Sequence, residues 1–172
     1  MALKAKLGYA AYCRQDFIGA DYGLVNYTSY LPSPDYWLLV LWKRLVGTRV
    51  LALEQPAAKS TRAYAFCAAP GLAPAGSAIL VLLNLDSSEV CYGTPSAAAP
   101  GSTLVLYTLA PGPDGVESAS VNLNGVVLSL DANGRLPNLP GAPVAASEGI
   151  KLPPLSVTLA VMPLQDAATC PS

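Results

Sequence analysis

Any chemistry in this chain must come from carboxylates, hydroxyls and thiols, because the sequence contains no histidine. That excludes Ser-His-Asp and Cys-His nucleophile systems, and histidine acid–base work, within these residues. Of the 11 carboxylates, most sit in turns, where an acidic side chain is solvated or bonded to nearby backbone. Asp16 and Asp21 differ, because they flank an aromatic, glycine-rich stretch, Gly19-Ala20-Asp21-Tyr22-Gly23. Glycoside hydrolysis uses two carboxyls held about 5–10 Å apart, and this pair is the one to test for it. Small residues let a ligand approach the backbone, while Tyr22 offers a ring for sugar packing and a hydroxyl for hydrogen bonding. The plainer reading of the same residues is a turn with one packed tyrosine.

The thiols are Cys13, Cys67, Cys91 and Cys170. Four cysteines allow three full pairings. None of them forms a CxxC motif, which disfavours zinc, and neither a metal nor a cofactor is expected. Cys67 ends an alternating stretch, and Cys170 follows the last one. A bridge between them would tie the chain end to the body, with about 4–5 kcal/mol of stabilisation in the chain-entropy account. Cys13 and Cys91 sit among apolar residues and read as buried free thiols. Asn26-Tyr27-Thr28 fits the acceptor sequon, making Asn26 a candidate glycosylation site. With a disulfide, it points to the secretory pathway.

The elements around these residues follow from periodicity and stop signals. Residues 3–12 suggest a helix leading into a strand over Tyr9–Cys13. Arg14–Ile18 reads as a short extended segment and Gly19–Pro34 as a loop. The spacing predicts a helix over Asp35–Val46: Ser33 is placed to cap it, Pro34 suits its first position, and Lys43 and Arg44 occupy its last turn. Gly47 is expected to end it in the left-handed conformation. Trp37, Leu41 and Leu45 share one face. Beyond Gly47 the period becomes two. Strands are expected at Thr48–Leu53, Thr61–Ala68, Ser77–Leu85, Glu89–Tyr92, Thr103–Leu109 and Ser156–Met162. Two more, Val121–Leu123 and Val126–Leu130, flank an Asn124-Gly125 hairpin turn. Short strands punctuated by Pro/Gly loops, including 70–76 and 133–146, read as an antiparallel β-sandwich.

Composition sets the outer bounds. The chain has 172 residues, 52% hydrophobic and 12% charged, enough to bury a core. A net charge of -1 leaves no basic field for nucleic acid. The longest apolar runs, 37–42 and 78–83, fall short of the roughly 20 residues of a membrane span. Met1–Gly8 lacks the apolar core of a signal peptide.

Several motifs together resemble the C-terminal part of the heparanase and heparanase-like endo-β-glucuronidases, a retaining glycoside hydrolase family, and its plant-type members in particular. They are Arg14-Gln15, Gly19 to Leu24, Pro34-Asp35-Tyr36-Trp37, Leu41 to Thr48, Val121 to Gly125, and Leu152-Pro153-Pro154-Leu155-Ser156. The resemblance runs from about residue 12, with little of it in residues 1–11, as in a misjoined or partial start. It implies a mainly β chain: the last strand and helix of a (β/α)8 barrel over residues 1–47, then an antiparallel β-sandwich over 48–172. It implies a Cys67–Cys170 disulfide, and substrate contacts at Ala20, Asp21 and Tyr22. Plant members often carry Gly-Gly-Asn-Tyr-Gly there, so Ala20 and Asp21 depart from the pattern, and an Asp facing a substrate carboxylate repels it. The acid and nucleophile glutamates are expected upstream, which leaves the isolated chain inactive. The implied partners are a glycan containing uronic acid and a missing N-terminal barrel segment. The implied location is secreted or lysosomal/vacuolar, as a glycoprotein with peripheral membrane association. The alternative is a non-catalytic sandwich that binds glycans, with Tyr64, Phe66 and Tyr107 as candidate rings, or that stabilises a barrel.

Overall fold

The structure, a computed structural model, describes residues 1–71 and 73–171. Leu72, in the expected 70–76 loop, and Ser172, the last residue of the expected sandwich, lie outside the described residues. The chain is mainly antiparallel β. Among the described residues, helices α1 (Ala2–Lys6) and α2 (Pro34–Leu45) precede ten strands: β1 (Val46–Leu51), β2 (Thr61–Ala68), β3 (Ser77–Asn84), β4 (Val90–Tyr92), β5 (Thr103–Pro111), β6 (Val121–Leu123), β7 (Val126–Val127), β8 (Ala142–Ala145), β9 (Ile150–Leu152) and β10 (Ser156–Pro163). Eight of them form one sheet in the order β1-β2-β3-β10-β5-β6-β7, with β8 sharing the free edge of β5 beside β6. β4 and β9 form a separate antiparallel ribbon.

The central sheet is sorted face by face, as the period-two pattern requires. Tyr64, Phe66, Ile79, Val81, Leu159 and Val161 point to one face and pack with Trp37, Leu41 and Leu45 of α2. These three helix residues are almost completely buried, and each contributes about 1.5–3 kcal/mol relative to exposure. On the opposite face Ala63, Ala65, Ala78 and Ala160 lie with Leu80 and Met162 under Ile150 and Leu152 of the ribbon. Alanine on this face leaves room for the ribbon to approach. β3 is covered on both faces, which explains its continuous apolar run. Asn84, fully buried at its end, donates from Nδ2 to the carbonyls of Ser88, Leu152 and Pro153 and so ties sheet to ribbon.

Several expectations are corrected. Tyr9–Cys13 is not a strand: α1 stops at Lys6, and Lys4 Nζ sits 5.7 Å and 5.1 Å from the ring centroids of Tyr9 and Tyr12. Arg14–Ile18 joins no strand ladder. Cys13 and Cys91 are free but exposed, not buried. Cys13 lies in irregular chain, and Cys91 points outward from the two-stranded ribbon while Val90 and Tyr92 pack inward. Ser33 occupies the N-cap position, yet its hydroxyl does not cap the helix. Tyr64 and Phe66 are core, and Tyr107 packs against it, so these rings form no exposed platform. β8 and β9 are strands beyond those the period-two pattern predicts, and the second hairpin strand is only Val126–Val127. The Asn124-Gly125 turn is as expected, with φ of 49° and 85° and Leu123 facing Val126. The Cys67–Cys170 disulfide is present.

Gly47 does not end α2 in the left-handed region. It lies inside β1, where a Cβ would sit 2.7 Å from the Cys67 carbonyl oxygen and 3.0 Å from that of Ala68. Gly47→Ala is therefore expected to destabilise the chain by about 1–3 kcal/mol through overpacking, read as a lower urea midpoint at unchanged slope.

Candidate functional site

The loop before α2 is shaped by backbone bonds that fold it onto itself. Leu24 N–H donates to the Asp16 carbonyl at 3.0 Å, Val25 N–H to Phe17 at 2.9 Å, and Ser33 N–H to Leu24 at 2.9 Å. Leu24 is buried beneath this fold and Ser33 Oγ donates to the Gly23 carbonyl at 2.9 Å. Glycine is required at two points. Gly19 has φ of 123°, a conformation that L side chains avoid. At Gly23 a Cβ would lie 3.0 Å from Asp16 Oδ1 and 3.1 Å from the carbonyl oxygens of Ala20 and Val25. Asp16 Oδ1 is buried there without a hydrogen-bond partner.

Arg14 clips this loop to the helix. Its Nε donates to Asp35 Oδ2 at 2.9 Å, and its terminal nitrogens donate to the carbonyls of Gln15 and Tyr22. The ion pair is partly exposed, so it contributes on the order of 0.2–1 kcal/mol, and its main effect is geometric. One planar guanidinium fixes the loop tip against the first turn of α2. Asp35 also favours the positive end of the helix dipole.

Between loop and helix start lies a cleft of about 480 Å³. Its walls include Arg14, Asp21, Tyr22, Asn26, Ser29 and Asp35, with Ala119 contributed by a distant turn. Tyr22 is 57% exposed. Asn26 Oδ1 accepts from the N–H groups of Thr28 and Ser29, both at 2.9 Å, so its side chain is held in an Asx turn. The structure thus brings Asp21, Tyr22 and Asn26 to one cleft. Ala20 sits behind it as the acceptor of the Gly23 N–H at 2.9 Å. Asp16 lies under the loop, outside the cleft lining.

The sequon at Asn26 does not by itself mark the residue as a cleft wall. The Asn-Tyr-Thr-Ser string was the available signal, since Asn bonds readily to backbone N–H groups two and three residues on. Ser29 and Ala119 carried no signal. Among the described residues no group of three or more His, Cys, Asp or Glu side chains is arranged to hold a metal. Among the described residues no helix is long and apolar enough to cross a membrane.

Comparison with known proteins bears on this arrangement. The chain is 35% identical over 179 residues to heparanase of Mus musculus, covering 99% of this chain and 32% of that protein. It is 32% identical over 163 residues to baicalin-beta-D-glucuronidase of Scutellaria baicalensis, covering 91% of this chain and 30% of that protein. The chain therefore spans about a third of the length of the curated relatives it matches. The 99% coverage carries the similarity through the first eleven residues, further than the motifs suggested. No family model matches the chain. Among solved structures, an arabinose-bound α-L-arabinofuranosidase superposes with a TM-score of 0.52 at 15% identity, over 83% of this chain and 21% of that one. That likeness concerns the fold alone.

The clip has a direct test. Arg14→Ala is expected to cost about 1 kcal/mol or less in global stability, while amide exchange at Gly23–Val25 speeds up by at least about tenfold as the loop opens locally. Unchanged exchange there would show that the backbone bonds alone hold the loop.

Proposed function

The chain belongs to the heparanase-like family, and from that premise we propose that it is the C-terminal part of a retaining glycoside hydrolase acting on β-glucuronosyl linkages of glycans. Residues 1–47 are read as the closing piece of a (β/α)8 barrel and residues 48–172 as its β-sandwich. The observation that carries this reading is where apolar surface is left uncovered. Leu7, Tyr9, Phe17, Tyr30 and Leu31 are each more than half exposed, and all lie before α2. Exposed apolar side chains in this segment supply surface for a partner, and a barrel segment is the partner proposed. In the sheet region the comparably exposed residues, Leu85, Val116 and Val126, are scattered over separate loops and edges.

Within this reading the cleft loop is one wall of the substrate site. Tyr22 supplies a stacking ring, Asp21 a hydrogen-bond acceptor, and Ala20 a small residue that lets the loop backbone come close. The proton donor and the nucleophile belong to the barrel segment, so these residues position and do not react. The enzyme is placed in a secreted or lysosomal/vacuolar setting, peripheral on membranes, with Asn26 as a glycan acceptor. The Cys67–Cys170 disulfide supports an oxidising compartment.

The other reading, a non-catalytic sandwich that binds glycans by itself, would need exposed rings on the sheet. The three rings proposed for that role pack in or against the core. A role in stabilising a barrel fits the exposed surface before α2 and is compatible with the enzyme reading.

The full-length parent is expected to hydrolyse a β-glucuronide, and the 172-residue chain alone to show no turnover. Absence of activity in the parent would sink the enzyme reading. Turnover by the isolated chain that Asp16→Asn or Asp21→Asn abolishes would place the catalytic carboxylates here instead.

A further inference from the structure

We propose that Asn133 is a site of spontaneous modification: its side-chain amide is lost through ring closure onto the Gly134 backbone nitrogen, while the fold protects the other Asn-Gly pair, Asn124-Gly125, from the same reaction.

Of the asparagines in the sequence, Asn124 and Asn133 are the two followed by glycine. The chemistry open to both is the same. The glycine nitrogen gives up its proton and attacks Cγ of the asparagine. A C–N bond forms, and the side-chain nitrogen leaves as ammonia. Water then opens the five-membered imide at one carbonyl or the other, leaving aspartate or isoaspartate. The net change is one water consumed and one ammonia released, with no oxidant or reductant. Glycine suits the attack because no side chain stands beside its nitrogen. A Cβ at either Gly125 or Gly134 would meet nothing within 4 Å, so open space around the glycine does not separate the two pairs.

The carboxamides separate them. Asn124 Oδ1 accepts from the Thr108 N–H at 2.9 Å, and its Nδ2 donates to the carbonyls of Leu106 at 3.0 Å and Pro140 at 3.2 Å. Its own N–H donates to the Thr108 carbonyl at 2.9 Å. The side chain is therefore pinned against β5 from both ends, and Cγ turns toward the Gly125 nitrogen only if these side-chain bonds break. At Asn133 the turn is held by a different residue. Asp131 Oδ1 accepts from the N–H groups of Asn133 and Arg135, both at 2.8 Å. The Asp131 carbonyl accepts from the Gly134 N–H, and its N–H donates to the Arg135 carbonyl, both at 2.9 Å. The Asn133 carboxamide takes part in none of these bonds and has no partner among the described residues. One bond stands against ring closure, from Gly134 N–H to Asp131, in a turn where residues 131–135 are all exposed. Exposed backbone bonds of this kind open at low cost.

The product changes the turn. A carboxylate at 133 takes the formal net charge from -1 to -2 and lies two residues from Asp131. Isoaspartate also adds a methylene to the main chain between the two N–H groups that Asp131 Oδ1 holds, which loosens its grip. The turn contributes no residue to either core cluster, so the change stays local.

The test incubates the oxidised 172-residue chain at mildly alkaline pH, once in native buffer and once in urea. Conversion at each asparagine is followed by peptide mass mapping after a cleavage that separates them. In native buffer Asn133 is expected to convert at least about tenfold faster than Asn124, the ratio imposed by breaking one or two hydrogen bonds of ordinary net strength. In urea the two rates should converge, and the product at 133 should contain both aspartate and isoaspartate. Asn133→Gln should remove the reaction there and leave the urea midpoint unchanged. Equal or faster conversion of Asn124 in native buffer would overturn the inference. So would an Asn133 that persists in native buffer yet converts in urea, or a product that is aspartate alone, which would mean hydrolysis without ring closure.

Discussion

The passage from α2 into β1 is the constraint on which the rest of the chain depends. No loop separates the two: the helix ends at Leu45 and the strand begins at Val46. The Ala69 N–H donates to the Leu45 carbonyl at 2.7 Å, and Trp42 meets Phe66 edge-on at a centroid distance of 5.2 Å. Gly47 lies so close to the Cys67 and Ala68 carbonyls that no side chain fits. The last turn of the helix is thereby sewn to the end of β2. At the same place Cys67 is bonded to Cys170, and Gly76 presses against Ala167, where a Cβ would lie 2.4 Å from the alanine methyl carbon. Helix, sheet and chain end converge on one point.

That convergence gives the cleft a rigid side. The first turn of α2 carries Asp35, and Asp35 holds Arg14, which in turn holds the Tyr22 carbonyl. Each step is a short, directed contact, and the chain of them runs from a buried apolar face to an exposed loop. The loop itself has little burial beyond Leu24. Its order is thus borrowed from the helix, and the helix takes its order from the sheet. Binding groups on a mobile loop become useful when a packed scaffold fixes where they point.

Much of the scaffold was legible in the sequence, for local reasons. β2 and the Asn124-Gly125 turn are specified by alternation and by residues that tolerate positive φ, and α2 by its cap-side proline and its Trp37/Leu41/Leu45 stripe. What escaped depended on partners distant in sequence. β9 (Ile150–Leu152) is three residues long and is a strand only because β4 pairs with it. β8, an Ala-Pro-Val-Ala segment, is a strand because β5 offers an open edge and proline is tolerated on an edge. Gly47 carried the signature of a helix terminator, yet the close approach of β2 explains it. In the cleft, Asp21 and Tyr22 were visible from type and spacing. The Arg14 clip and the cleft-facing side of Asn26 were not, since both arise from contacts made only after the loop folds onto α2.

In this arrangement α2 is part of the sheet's cooperative unit while the loop before it is only attached. Native-state hydrogen exchange of the isolated chain measures this directly. The amides of Leu41–Leu45 should open together with those of β3 and β10, at the free energy of global unfolding, with residues 23–33 opening at a lower cost. Exchange of α2 together with the loop, well before β3 and β10, would show instead that the helix does not anchor the site.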